Sequence, residues 1–139
     1  MSDGLHTAIV SSVAALRAQS LRLRVVAENL ANANVTASTP AGAPYVRKTV
    51  SFKDEVDRAS GASIVQVRAI GRDPAPFRIQ LEPGHPAADA AGHVKLPNVN
   101  PLVELSDMRE AHRSYEASLQ VVRQSREMLS DLVDLLKGR

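Results

Sequence analysis

Residues 101–136 read PLVELSDMREAHRSYEASLQVVRQSREMLSDLVDLL, and their spacing decides the fold. Met108, Tyr115, Val122, Leu129 and Leu136 recur every seven residues without a break. Leu105, Leu119 and Val133 supply companions three residues earlier, where His112 and Arg126 interrupt. A seven-residue period is the mark of a helix packed along a narrow seam on other helices. Asn100 is placed to cap this helix and Pro101 to sit in its first turn, where a missing N–H does no harm. At 1.5 Å per residue, a helix from Pro101 to Lys137 would be about 50 Å long.

The other end of the chain repeats the pattern less cleanly. Ile9, Leu16, Leu23 and Leu30 are seven apart; Val13 and Ala27 follow Ile9 and Leu23 by four, and Val26 follows Leu23 by three. Ser12 and Gln19 stand at companion positions, so a perfect dimeric zipper is not expected. All eight prolines lie between Pro40 and Pro101. Proline breaks helix interiors, so both ends are free to form long helices and the middle is not.

The middle reads as short strands between turns. Residues 37–44 are loop by composition. Tyr45, Val46, Thr49, Val50 and Phe52 are strand-type residues, and the run from Ser63 to Ile70 alternates. Phe77, Ile79 and Leu81 alternate with Arg78, Gln80 and Glu82, which predicts a half-buried strand between Pro76 and Pro83. A short strand is expected near Val94 to Leu96, and three to four such strands would make one small sheet with a thin core. The expected architecture is α+β: two long terminal α-helices pairing as a coiled-coil-like ribbon, with a small β-rich domain inserted between them. The expected divisions are an N-terminal assembly helix over 1–36, the β-rich domain over 37–100 and a C-terminal assembly helix over 101–139.

Size then bears on function. A compact globule of about 60 residues has a radius of gyration of about 10 Å, so terminal helices of this length project well beyond it. Two helices cover only part of each other, which makes partner helices the expected cover. The candidate subunit-interface residues are therefore Ile9, Val13, Leu16, Leu23, Val26, Ala27 and Leu30, with Leu105, Met108, Tyr115, Leu119, Val122, Leu129, Val133 and Leu136.

Composition excludes several classes. There is no cysteine, hence no disulfide framework and no thiolate chemistry. Aromatic residues are 3% of the chain, too few for a base-stacking surface. Lys and Arg against Asp and Glu number 3 to 2 over residues 1–36, 8 to 6 over 37–97 and 6 to 7 over 98–139, so no segment has the basic excess of a nucleic-acid binder. No apolar run is long enough to cross a membrane, and no cleavable secretory signal is expected at Met-Ser-Asp-Gly-Leu-His. His85, Asp89 and His93 are four apart, but Pro83, Gly84, Pro86 and Gly92 oppose the helix that would align them on a metal. His112 reads as a packed seam histidine, and Asn34-Val-Thr36 as a chance match to a glycosylation acceptor. Neither a phosphate loop nor a nucleophile elbow is present, so neither enzyme activity nor a cofactor is expected.

Two stretches go beyond pattern. Ala27-Glu-Asn-Leu-Ala-Asn-Ala-Asn-Val-Thr36 resembles the Asn-Leu-Ala-Asn signature of the bacterial flagellar rod and hook family, here Asn29, Leu30, Ala31 and Asn32. Phe77 to Pro86, with Pro83, Gly84, His85 and Pro86, and Gly92 to Asn100, with Pro97, Asn98, Val99 and Asn100, resemble a proximal-rod segment of that family. Tyr45-Val-Arg-Lys48, Asp107-Met108 and Ser114-Tyr-Glu-Ala117 fit in the same order; Ser118 departs, since the family usually has Asn there.

The resemblance implies a structural subunit of the basal-body rod, assembling helically through its terminal helices to transmit torque and to form the wall of the export channel. Its implied partners are copies of itself, other flagellar rod proteins and the flagellar type III export apparatus, which would pass it to a rod crossing the periplasm without a cleaved signal. It also implies terminal helices that are poorly ordered before assembly. The residues themselves suggest that Asn29 and Asn32 end the first helix and fix the exit of the chain. The rival reading is a soluble helical-bundle adaptor or chaperone binding a single partner.

Overall fold

A computed structural model describes residues 2–138. Helix α1 spans Ser2–Ala31, strands β1 and β2 span Lys48–Val56 and Ser63–Arg72, β3 and β4 span Arg78–Leu81 and His93–Leu96, and helix α2 spans Pro101–Leu136. The class is α+β with long terminal helices that pack together, and the helices lie where the proline distribution allows them.

Both helix ends have identifiable causes. The Asn100 side chain accepts the Leu102 N–H at 3.0 Å and its carbonyl accepts the Glu104 N–H at 3.1 Å, which satisfies orphan groups of the first turn of α2. At the far end Gly138 takes φ +71°, and the Lys137 and Gly138 N–H groups bond back to Val133 and Leu135. Asn32 closes α1: both its backbone N–H and its side-chain amide donate to the Glu28 carbonyl.

The strands form two separate two-stranded ribbons, β1 with β2 and β3 with β4, where one small sheet was expected. The β3 strand is also exposed along its length, where a half-buried strand was expected. The β3–β4 register explains this: Arg78 stands opposite Leu96 and Gln80 opposite Val94, so Val94 and Leu96 supply the inward side. Val94 is buried, whereas Ile79 and Leu81 turn outward at 59% and 65% exposure. The alternation along β3 is real, but its polar side faces in. Arg78 bonds there to the Pro97 and Ala33 carbonyls.

The chain forms two compact units, each built from separated segments. One comprises residues 2–23, 51–69 and 109–138. In it the two helices run antiparallel: the Arg22 guanidinium lies 3.6 Å from the Glu110 carboxylate, and Leu5 shares a groove with Met128, Leu132 and Leu135. The β2 residues Ile64 to Val67 lie beside Ala14, Ala18 and Leu21, and the Ser11 hydroxyl donates to the Ser63 carbonyl at 2.6 Å. The second unit comprises residues 24–50 and 70–108. Its buried residues include Val25, Val26, Ala33, Val94, Pro97 and Val99 together with two polar side chains, Asn29 and Glu104.

Along α2 the less exposed stripe is Met108, Ala111, Tyr115, Ser118, Val122, Ser125, Leu129 and Leu132. The seven-residue row is as read from the sequence, but within the chain its companions lie four residues earlier. They include Ala111, Ser118 and Ser125, whose small side chains let a neighbouring backbone approach. Leu105 and Val133 are rotated toward solvent, and His112 is exposed within the chain, 3.8 Å from Glu116.

Candidate functional site

Among the largest side chains completely withdrawn from solvent are Glu104 and Asn29, beside Val94, Val99 and Pro97. Buried polar groups persist only when partnered, so these two define the place to look. Asn29 uses its full hydrogen-bonding capacity. Its Oδ1 accepts the Lys48 N–H at 2.8 Å and the Tyr45 hydroxyl at 2.9 Å; its Nδ2 donates to the Lys48 carbonyl at 2.8 Å and to Glu104 Oε2 at 3.2 Å. The paired bonds to Lys48 let the side chain act as a one-residue strand, so the last turn of α1 holds the start of β1. No other residue of that size offers two donors and two acceptors.

Glu104, in the first turn of α2, also accepts from Arg47 Nε. Arg47 reaches Asp73 through Nη1 at 3.2 Å, and its backbone N–H donates to Asn98 Oδ1 at 2.8 Å. Asn98 in turn donates to the Asp73 and Ala75 carbonyls. Lys48 Nζ pairs with Glu28. Four separated stretches of sequence are thus tied together within one unit: the end of α1, the approach to β1, the loop at 73–75, and the turn at 97–100 with the start of α2 that follows it. Burial works against the Arg47 charge, but the bonds and fields of Glu104 and then Asp73 outweigh it, so the guanidinium titrates above its ordinary range. Burial, then the negative charges of Glu28 and Glu104, push the Tyr45 hydroxyl up, which keeps it a donor to Asn29.

The second motif stretch folds into a loop pinned at its base. The Glu82 N–H donates to the Gly92 carbonyl at 2.8 Å and the Asp89 N–H to the His93 carbonyl at 2.9 Å. Gly92 has φ +82° and the Pro83 ring lies 2.9 Å from where a Cβ would stand, so this position requires glycine. His85 accepts the Ala87 N–H at Nδ1, which in the neutral ring leaves the hydrogen on Nε2, 3.3 Å from the Thr36 hydroxyl. Asp89 accepts the His93 and Ala91 N–H groups, and those bonds, against a small burial effect, hold its carboxyl below the usual range. Among the described residues, no three His, Cys, Asp or Glu side chains converge as a metal site. Gly84 and Pro86 are exposed on the loop, Pro97 and Val99 are buried, and Asn100 caps α2.

The fifteen seam residues are placed unevenly. Val26 and Val122 are buried; Ile9, Val13, Leu16, Leu23, Leu30, Met108, Tyr115, Leu119 and Leu129 are half-buried; Ala27, Leu105, Val133 and Leu136 are exposed. In the motif, Ala31 is exposed and Asn32 half-buried. Helix α2 leaves Leu102 at 77%, Leu135 at 72% and Leu136 at 87% exposure, with Val103, Val121 and Met128 also open. Sequence reasoning missed Glu104 and Asp73. For Glu104 a signal was present: it is a lone acid among Leu102, Val103 and Leu105, seven residues before Ala111 on the covered stripe.

The geometry is that of a structural junction with open apolar surface on one helix. No helix of the described residues is long and apolar enough to cross a membrane. Residues 9–37 match the family model described as flagella basal body rod protein, and residues 90–135 match that described as flagellar basal body rod FlgEFG protein C-terminal. The chain is 50% identical over 136 residues to the flagellar basal-body rod protein FlgC of Agrobacterium fabrum, covering 98% of each. It is 34% identical to that of Borreliella burgdorferi over 97% of this chain and 99% of the relative. With that of Salmonella typhimurium it shares 43% identity over 83% of this chain and 85% of the relative.

Proposed function

The chain belongs to the family of flagellar basal-body rod proteins FlgC, and from that premise we propose that it builds the rod by helical assembly through its terminal helices. The family is structural and its place is the basal-body rod, assembled with other rod components. The finer reading concerns how. Single side chains at Leu102, Leu135 and Leu136 are far more exposed than a finished helix–helix seam would leave them. That exposure is the observation that carries the proposal: α2 is partly covered within the chain and is completed by neighbours.

On this reading, torque passes through many packed side chains with no catalytic step, and the covered helices form the wall of the export channel. The subunit reaches its site through the type III export apparatus. The test replaces Leu102 and Leu136 by Gln in the full chain. Circular dichroism of the purified variant should match the parent, because neither residue is buried. Cells carrying it should lose swimming, with the variant missing from purified basal bodies. Normal motility with normal incorporation contradicts the assembly role of this face.

A further inference from the structure

Two surfaces left open by the chain are complementary to each other and not to themselves. One is the outer face of the β3–β4 ribbon. Ile79 and Leu81 stand about 7 Å apart on it, and their cross-strand partners Lys95 and His93 share the face. The Gln80 side chain bonds Glu82 at 2.6 Å and draws that acid to the opposite side. Asp89 lies 3.8 Å from His93 Nδ1, and Lys95 has no ion-pair partner among the described residues. The other surface is an apolar groove of about 530 Å³ where the start of α1 meets the end of α2. Leu5, Met128, Leu132 and Leu135 line it, and Gly4 leaves it open, with nothing within 4 Å of where a Cβ would stand. Asp131 lines it too, Asp134 lies close by in sequence, and neither has an ion-pair partner among the described residues.

We propose that the outer face of the β3–β4 ribbon of one copy docks into the α1–α2 end groove of a second copy. Ile79 and Leu81 enter the apolar floor, and Lys95 meets the carboxylates at Asp131 and Asp134. A two-fold contact of either patch with itself would set like charges against each other, so the pairing is between different patches. In an open helical assembly each copy gives its ribbon to one neighbour and its groove to another, so the contact propagates from copy to copy. This rests on the assembly reading above and specifies one contact within it.

The sequence has no cysteine, so introduced thiols are the only ones. The full chain carrying Leu81→Cys and Leu135→Cys is expressed in cells in place of the parent, and purified basal bodies are treated with a short bismaleimide. Each copy then offers one thiol to each of two neighbours, so a ladder of dimer, trimer and higher species is expected; either single variant should give a dimer at most. Incorporated double variant that yields no species beyond the dimer overturns the contact and leaves the rod assignment standing. Where this pair prevents incorporation, Lys95→Cys with Asp131→Cys keeps the aliphatic contacts and is read in the same way. Basal bodies lacking both pairs, but built normally otherwise, contradict the assembly reading and this contact with it.

Discussion

The junction around Asn29 and Glu104 and the last third of α2 solve opposite problems with the same kinds of residue. At the junction a fully buried carboxylate and amide are surrounded by partners, and each donor is answered by an acceptor. Along residues 128–136 Met128, Val133, Leu135 and Leu136 are exposed apolar side chains, and Leu136 is almost completely open. Buried polar networks add little net stability over an apolar core, but a partly satisfied one is costly, so they favour one arrangement of the chain over others. Exposed aliphatic surface does the reverse and leaves the choice of neighbour to the assembly. The subunit thus fixes its own chain path in one unit, whereas on the reading proposed above its helix surface is completed by others.

Substitutions that strand one member of the network should break the comparison most sharply. Arg47→Met leaves Glu104 buried with Asn29 as its sole remaining side-chain donor among the described residues, a loss of about 3–5 kcal/mol by urea denaturation. Glu104→Gln keeps the shape and a hydrogen-bonding oxygen, while Arg47 retains Asp73 and some solvent, so the cost should be nearer 2 kcal/mol. The reverse ranking would show that the carboxylate is not the group that needs its partner. Asn29→Asp preserves size but removes both donors and faces a second carboxylate. A loss of about 2–3 kcal/mol is expected, with a lower thermal midpoint.

The helix end should behave otherwise. Met128→Gln and Leu135→Gln should each change the stability of the free chain by no more than about 0.5 kcal/mol, because neither side chain is buried. A large loss there would mean that the α2 end already belongs to a closed core. The smallest effect concerns the β1–β2 turn. The Ser60 hydroxyl and then its N–H hold the Asp57 carboxyl below the usual range, against a small burial effect. A lowered carboxylate contributes stability above the unfolded pKa of about 3.9 and loses it as pH falls through the lower folded value. Asp57→Asn should therefore flatten the acid limb by slightly lowering stability in the neutral region, where the ionised carboxylate contributes, while leaving the acid end nearly unchanged.

How much of this was legible follows from what each feature depends on. The helices were visible because proline placement and a seven-residue row are local properties of the chain. The Asn32 helix end and the Asn100 cap were visible for the same reason, whereas Asn29, expected to share in ending α1, spends its bonds on Lys48, Tyr45 and Glu104. Which face of β3 turns inward was not, since it depends on what β4 places opposite it: Val94 and Leu96 fill the inner side and push Ile79 and Leu81 out. Within the chain the α2 row is accompanied four residues earlier by Ala111, Ser118 and Ser125, which sequence reading passed over because small Ala and Ser residues carry no apolar signal. The junction itself was only half legible. Asn29, Arg47 and Asn98 stood in the recognised motifs, but nothing in sequence spacing joins them to Asp73 and Glu104, which meet through the fold.

Hydrogen exchange read by mass spectrometry, on the free full chain and on the same chain in purified basal bodies, tests the contrast most directly. In the free chain the amides of residues 29–48 and 98–108 should exchange slowly and those of residues 128–136 fast, because the first are held by buried bonds and the second lie under open side chains. In basal bodies residues 128–136 should become protected while the junction changes little. Slow exchange at 128–136 in the free chain, or no gain of protection there on assembly, would contradict a subunit whose helix end is completed by its neighbours.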